Sequence, residues 1–267
     1  MRHLVIPDTQ VMPGVCINHL NALGNYIVEK QFEHIQCLGD LADMHALSSY
    51  DKGKKSGEGV RVQEDLDASY HAMQVLFKPI DNYNKQQRKN KKRKYEPTKD
   101  LNLGNHENRI TRHVNANPEL DGFLSTDALR YADFGWKVHS FLAVNERDGI
   151  LYSHYFPRNA QGRIVQSLRG APSAALQVRR EMRSCTSGHL QGLDFHIQQT
   201  GTRRYYGIIA GSFYLHELEY LTKQGEHYWR GVIVKNEVND GEYDPMFISI
   251  RYLLDNYWDG INRYAGE

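Results

Sequence analysis

Side chains that bind metals or transfer protons follow several short apolar segments of the sequence. In the stretch "DLNLGNHENR" (100–109), an apolar segment runs through a glycine directly into Asn105 and His106. The other residues of this kind are Asp8, Gln10, Asp40, Asp43, His154, His189 and Gln191. A glycine lets the chain turn sharply, so the side chains after it are held at a sheet edge rather than on a mobile loop. Such positions suit metal binding or proton transfer.

The elements that must position these side chains alternate between strand and helix. Residues 2–8 and 34–40 predict strands, and the periodicity of residues 18–30 predicts a helix between them. The other predicted elements are a long helix over 62–93, a strand before Gly104, a helix near 107–116, strands over 136–144 and 149–156, a helix near 171–184, strands near 185–188 and 205–211, and a hairpin that turns at Asn-Asp-Gly (239–241). Residues just past the carboxyl ends of strands converge on one rim of an α/β sheet, so we expect the polar residues to meet there.

The composition favours a folded chain without a membrane segment. Its 267 residues, 40% of them hydrophobic, are enough to bury a substantial core, and no repeat or linker divides them, so we expect one domain over 1–267 with a basic helical insertion around 60–98. No apolar run is long enough to cross a bilayer, and the amino terminus predicts a strand rather than a signal peptide. These features predict a cytoplasmic protein without membrane contact.

The cysteines and the charge exclude further classes of site. Cys16, Cys37 and Cys185 are widely spaced, which argues against a disulfide framework and a thiolate zinc site, and we expect them to be reduced and buried. The formal net charge is +1, so any electropositive site must be local.

The order of the polar motifs resembles that of the calcineurin-like metallophosphoesterase superfamily. Between residues 8 and 191 the sequence has Asp-x-Gln, Gly-Asp-x-x-Asp, Gly-Asn-His-Glu, His and Gly-His-x-Gln. The family has the same blocks, with histidine in place of both glutamines. The stretch "GIIAGSFY" (207–214) is similar to the Gly-Ser strand that follows the last family motif. Within the superfamily, the sequence most resembles the phosphoesterases of tailed phages and prophages. The resemblance implies an α/β fold, a four-layer α/β/β/α sandwich with a dinuclear metal centre at the strand carboxyl ends.

The resemblance also implies a role for each polar residue. Two divalent ions would be bridged by Asp40. The first ion would be held by Asp8, Gln10, Asp40 and Gln191. The second would be held by Asp40, Asn105, His154 and His189. His106 would act as general acid, oriented by Asp43, while a metal-bound hydroxide attacks phosphorus directly.

The sequence departs from the family at Gln10 and Gln191. One account is decay, in which weaker ligands leave the first site empty. The other is retuning, because two amide oxygens and two carboxylates make an all-oxygen site that suits Mn²⁺ or Mg²⁺ better than Zn²⁺ or iron. All other motif residues are chemically intact, which favours retuning. We therefore expect two divalent ions, with Mn²⁺ as the first candidate and Mg²⁺, Zn²⁺ and iron as the others.

The substrate is predicted from the positions of basic residues. The run "KQQRKNKKRK" (85–94) lies in a predicted helical insertion around 60–98 and is either a solvated surface or an electrostatic arm for nucleic acid. Lys54, Lys55 and Arg109 follow metal-site motifs and are candidates for binding a substrate phosphate. The preferred function is a phosphodiesterase or nuclease acting on nucleic acid or a nucleotide. The alternatives are a phosphomonoesterase for proteins or small molecules and a non-catalytic metal-binding module. A phage-encoded enzyme would work in the host cytoplasm.

Overall fold

A computed structural model describes residues 1–49, 53, 58–157, 173–217 and 228–267 of the chain. Within those residues it has two mixed β-sheets and five α-helices. The first sheet has the order β11 (Glu242–Ser249), β10 (Gly231–Asn239), β1 (His3–Ile6), β2 (His34–Cys37), β3 (Thr98–Asn102) and β4 (Lys137–His139). The second has the order β5 (Asn145–Arg147), β6 (Ile150–Ser153), β7 (Ser184–Ser187), β9 (Arg204–Ala210) and β8 (Leu193–Gln199). The helices are α1 (Asn18–Lys30), α2 (Val62–Lys89), α3 (Asn108–Ala116), α4 (Ala174–Glu181) and α5 (Ile250–Tyr257).

Both sheets have parallel central strands, and antiparallel strands extend the first sheet on one side and the second sheet on both sides. Strands β1 to β4 pair in parallel in the first sheet, as do β6, β7 and β9 in the second. Strands β10 and β11 extend the first sheet by antiparallel pairing, and β5 and β8 extend the second in the same way. The parallel strands of each sheet therefore end at a common edge.

Alternating side chains of β1 divide between two hydrophobic cores. Leu4 and Ile6 face a core shared with α1 and α2, whereas Val5 faces a core shared with the second sheet. Val178 of α4 packs with Cys185 of β7 in a separate cluster. The order of layers is thus helices, sheet, sheet and helix, which is compatible with the predicted α/β sandwich.

A lysine is buried between the two sheets. Lys235 of β10 is fully buried, and its Nζ donates hydrogen bonds to Thr186 Oγ1 at 2.6 Å and to Tyr152 Oη at 3.2 Å. The same nitrogen lies 4.4 Å from the ring centre of Tyr152 and 4.6 Å from that of Tyr243. Burial lowers the pKa of Lys235 well below its ordinary value, because the charged form loses its hydration.

The predicted insertion around 60–98 is formed mainly by α2, which ends at Lys89 rather than at residue 93. The helix continues through Pro79 and packs there against α1. A Cβ atom on Gly24 of α1 would lie 2.3 Å from the Leu76 carbonyl oxygen and 2.9 Å from Pro79 Cγ. Glycine is therefore needed at position 24 for the two helices to approach this closely.

The predicted single strand over 136–144 is wrong. Strand β4 ends at His139 in the first sheet, Leu142 adopts a positive φ of 64°, and the chain enters the second sheet at Asn145. This apolar stretch therefore crosses between sheets. The first βαβ unit and the hairpin at 239–241 are confirmed, the latter by pairing of Asn239 with Glu242. The helix predicted near 171–184 is confirmed as α4, although residues 171 and 172 lie outside the described part. Strand β8 and helix α5 were not predicted.

In the described ranges, no helix combines the length and apolar character needed to cross a membrane. All three cysteines are free thiols. The prediction that all three are buried is confirmed for Cys37 and Cys185 and wrong for Cys16, which is partly exposed. The division of the chain into a single domain stays a prediction.

Candidate metal centre

The predicted metal ligands follow strands of both sheets. Asp8 follows β1, Asp40 follows β2, Asn105 follows β3, His154 follows β6 and His189 follows β7. Since these strands are parallel within each sheet, their carboxyl ends supply one rim, and contacts across the two sheets join the residues there. The amide nitrogen of His189, for example, donates to Asp8 Oδ1 at 3.0 Å although the two residues are far apart in sequence.

The second predicted ion site is the better defined half of the centre. One ligand atom from each of Asp40, His154 and His189 lies within 4.8 Å of the other two. His154 Nε2 is 3.3 Å from Asp40 Oδ2, 3.2 Å from His189 Nδ1 and 2.9 Å from Asn105 Oδ1. The other ring nitrogen of His154 contacts the Leu38 carbonyl oxygen at 2.9 Å, which fixes the orientation of the ring. These residues form a possible metal-binding group.

The ionisation of this group determines how it would bind a cation. Burial, followed by the neighbouring His154, lowers the pKa of His189 to about 4, so its ring is neutral at pH 7 and keeps a lone pair for a ligand bond. Burial opposes ionisation of Asp40, but His106 and His154 hold the pKa of that carboxyl well below its usual range. Burial lowers the pKa of His154, but Asp40 more than offsets this and raises it to about 9, so a divalent cation would displace the proton of this ring when it binds.

Asp8 carries the clearest unsatisfied atom of the first predicted ion site. The residue is fully buried, and its Oδ2 has no hydrogen-bond partner. Burial and the negative charge of Asp40 raise the pKa of Asp8. Gly188 leaves room for this carboxylate, because a Cβ atom there would lie 2.4 Å from Asp8 Oδ1. A cation beside Asp8 would satisfy the bare oxygen and offset the repulsion from Asp40.

The backbone is strained at both glutamines of this half of the centre. Gln10 and Gln191 have positive φ angles of 43° and 57°, and Asp40 and His189 have 49° and 67°. Each such residue costs about 1–3 kcal/mol, so their concentration at one rim indicates a functional constraint. The backbone N–H of Gln10 donates to the backbone carbonyl oxygen of Asp40 at 2.8 Å. The side-chain Oε1 of Gln191 accepts from the hydroxyl of Tyr214 at 2.8 Å. Their assignment as ligands of the first ion stays a prediction.

His106 lies beside the possible metal-binding group with Asp43 behind it. Its Nδ1 is 3.3 Å from Asp43 Oδ2 and 3.0 Å from the Asp43 carbonyl oxygen, and its Nε2 is 3.8 Å from Asp40 Oδ2. Burial lowers the pKa of His106, but Asp40 and Asp43 more than offset this and raise it to about 9. The side chain is therefore placed to carry a proton close to the centre.

Arg109 contacts both Asp43 and His106. Its Nη1 donates to Asp43 Oδ1 at 3.0 Å and to the Asp43 carbonyl oxygen at 2.8 Å, while its Nη2 is 3.5 Å from His106 Nε2. One guanidinium nitrogen is thus used to hold Asp43, which leaves the other beside His106. Lys54 and Lys55, the other predicted phosphate ligands, lie outside the described residues.

Glu107 has a positioning role that was not predicted from the sequence. It is fully buried, and its two oxygens accept hydrogen bonds from the backbone N–H groups of Asp40, Leu41, Ala42 and Gly104 at 2.6–3.1 Å. The carboxylate thereby joins the loop after β2 to the loop after β3. The only sequence signal was the acidic residue within Gly-Asn-His-Glu itself.

The basic run lies far from the centre. Helix α2 begins beside the loop after β2, where Asp65 Oδ2 accepts from the Ala46 amide at 2.8 Å. Its 28 residues span about 42 Å at the usual rise per residue. The other end is fixed near the start of the parallel strands, where the hydroxyl of Tyr95 donates to the Phe32 carbonyl at 2.8 Å. The run at 85–94 is therefore at the opposite end of the sheet from the candidate metal centre.

No protein-family model matches the chain, and no curated protein matches its sequence. The resemblance to the calcineurin-like superfamily thus depends on the motifs and stays a prediction.

Proposed function

We propose that the protein is a metal-dependent phosphoesterase of the calcineurin-like superfamily that hydrolyses phosphodiesters of nucleic acid or a nucleotide. The observation that carries this proposal is the meeting of Asp40, His154 and His189 at one rim, with His106 and Asp43 next to them. A structural metal site needs the ligands alone. A hydrolase also needs a proton donor beside them, and His106 has that position.

The residues present would hold two divalent cations, with Asp40 contributing to both sites. The second ion would be held by Asp40, Asn105, His154 and His189. The first would be held by Asp8, Gln10, Asp40 and Gln191. The bare Asp8 Oδ2 and the facing imidazole nitrogens of His154 and His189 support this assignment. When bound, such cations activate water and neutralise charge on a phosphoryl group.

The protein's own groups then orient and protonate the substrate. His106 gives a proton to the departing alkoxide from Nε2, because its Nδ1 faces Asp43. Asp43 stabilises the imidazolium, and Arg109 fixes the position of Asp43. Glu107 sets the distance between the loops that present Asp40 and Asn105. These contacts fix the positions of the proton donor and the ligands relative to each other before the substrate binds.

The basic run supports a polymeric substrate. Among the described residues, Lys94 with Glu96 is the ion pair of this run, at 3.8 Å, so most of its positive charge is open to solvent. The run is separated from the centre by about the length of α2, which is similar to one turn of duplex DNA at about 34–36 Å. A long nucleic acid would reach both places, whereas a mononucleotide would contact the centre alone.

Hydrolysis of chromogenic esters tests the proposed activity. We expect the Mn²⁺-loaded protein to hydrolyse bis-p-nitrophenyl phosphate faster than p-nitrophenyl phosphate, with loss of activity on chelation and in His154→Ala. His113→Ala, on the outer part of α3, is a matched histidine control and should retain activity. Faster hydrolysis of the monoester would favour a phosphomonoesterase. Metal binding without hydrolysis of either ester would favour the non-catalytic module and refute the proposal.

A further inference from the structure

His216, in the segment after β9, has buried ring nitrogens without a partner. Neither of its ring nitrogens makes a hydrogen bond to any residue that the structure describes. His19, at the start of α1, is 1% exposed and packs against Phe213 of the same segment, with 4.8 Å between the ring centres. Buried polar atoms without partners are uncommon in native structures, so the ring of His216 indicates a bound group that completes it.

This segment runs along the half of the centre that contains Asp8 and Gln191. Ser212 forms a parallel bridge with Asp8, and the Phe213 amide donates to the Asp8 carbonyl at 2.7 Å. The hydroxyl of Tyr214 donates to Gln191, and the ring of Tyr214 lies 4.9 Å from that of His216. His216 is therefore one aromatic ring away from a predicted ligand of the first ion.

Three titratable groups from different segments interact electrostatically with His216. They are Asp43 in the loop after β2, Arg230 in the chain before β10, and His19 at the start of α1. The guanidinium carbon of Arg230 lies 4.5 Å above the ring of Tyr214, and its Nη1 donates to the carbonyl oxygen of that residue at 3.3 Å. Arg230 is thus held over Tyr214 and adds positive charge beside His216.

His216 does not complete a second metal site. Among the described residues, Asp40, His154 and His189 are the set of three acidic, histidine or cysteine ligands within 4.8 Å of one another. His216 lies beyond this set but interacts electrostatically with Asp43, so it is better placed for a group larger than a metal ion. Its N–H donor, with the charge of Arg230, matches an oxygen of a phosphoryl group.

We propose that His216 is a substrate-binding residue that donates a hydrogen bond to a phosphoryl oxygen at the Asp8 and Gln191 half of the centre, with Arg230 contributing charge. This inference rests on the proposed function. Burial lowers the pKa of His216 to about 4, so at pH 7 the free protein presents a neutral ring with one N–H donor. The side chain binds the substrate and takes no part in proton transfer, which falls to His106.

The test compares His216→Ala, His216→Gln and a distant histidine control, His196→Ala. In His216→Ala of the Mn²⁺-loaded protein, the KM for bis-p-nitrophenyl phosphate and the Kd for inorganic phosphate should rise by about 10- to 100-fold, as for loss of one hydrogen bond to a charged group. The value of kcat and the Mn²⁺ affinity should change little. Glutamine carries an N–H donor and should restore part of the phosphate affinity. His196→Ala should resemble the wild type.

Nuclear magnetic resonance gives a readout that is independent of turnover. Addition of inorganic phosphate to the Mg²⁺-loaded protein should shift the ring resonances of His216 more than those of His113, and Mg²⁺ is used because paramagnetic Mn²⁺ would broaden resonances near the centre. Unchanged KM and phosphate affinity in His216→Ala, with an active wild type, would refute the role of His216 and leave the proposed function intact. Loss of Mn²⁺ in that variant would refute it in favour of a metal ligand. A Mn²⁺-loaded wild type that neither binds phosphate nor hydrolyses esters would overturn both proposals.

Discussion

Replacement of Glu107 by glutamine should separate the two loops that carry Asp40 and Asn105. The Glu107 carboxylate accepts four backbone hydrogen bonds, two on each oxygen. Glutamine keeps one acceptor oxygen and turns an NH₂ group toward the remaining two N–H donors. Each buried donor left without a partner costs about 1–3 kcal/mol, so the Glu107→Gln variant should lose about 2–6 kcal/mol of unfolding free energy.

Two effects set where the value falls within this range. Burial and the nearby charge of Asp40 raise the pKa of Glu107, so removal of its charge relieves some repulsion and moves the loss toward the lower end. Strain at Asp40, whose φ is 49°, increases the loss of unfolding free energy, because one of these hydrogen bonds holds the Asp40 backbone in this conformation. We therefore expect a loss near the middle of the range.

Urea denaturation of the metal-free protein at pH 7 measures this loss, and Mn²⁺ titration calorimetry measures its effect on the centre. Metal affinity should fall as well, because Asp40 and Asn105 are presented by the two loops. Glu119→Gln is the control, since that exposed side chain should change stability by less than about 0.5 kcal/mol. A Glu107→Gln variant as stable as the control would show that the four hydrogen bonds do not hold the loops together.

Four further measurements test the centre, the basic run and the core. Gln10→His with Gln191→His should shift metal preference from Mn²⁺ toward Zn²⁺ or iron, and an unchanged preference would remove both glutamines from the ligand set. His106→Ala should slow hydrolysis of alkyl esters by about 10²- to 10⁴-fold but p-nitrophenyl esters much less, with metal content unchanged; an equal loss for both would contradict a general acid. Glutamine in place of the basic residues over 85–94 should weaken nucleic-acid binding and its salt dependence while sparing small esters, and an unaltered salt slope would make the run a solvated surface. The unfolding free energy of Lys235→Met should exceed that of the wild type at pH 7. This difference should shrink by at most about 1.4 kcal/mol per pH unit up to pH 9. A difference that does not depend on pH would mean that Lys235 stays charged.

The sign of the last effect follows from proton binding. Because burial lowers the pKa of Lys235, the unfolded chain binds more protons than the folded chain between the two pKa values. The stability of the wild type therefore rises with pH in that interval and is greatest above the ordinary lysine pKa. Methionine has no proton to lose, so the variant lacks this contribution.

Local sequence patterns were sufficient for the first βαβ unit and the position of the rim. The predicted helix over 18–30 has the same bounds as α1, because its apolar spacing repeats over several turns. The turn at 239–241 was predicted from Asn-Asp-Gly, whose residues favour the required backbone. The meeting of Asp40, His154 and His189 followed from the rule that parallel strands end at one edge.

Long-range packing decided the features that were missed. The apolar stretch 136–144 has no local signal for leaving a sheet, and only the packing of two sheets makes it leave β4 and lead into β5. Lys235 follows the apolar residues 232–234 in β10, and its burial depends on which sheet covers that face. Arg109 bonds to Asp43 through a contact between distant segments, and its role at a substrate phosphate stays a prediction. His19, at the start of α1, and His216, in the chain after β9, are brought together only by the tertiary fold, and burial of a polar group depends on neighbours that sequence spacing does not specify.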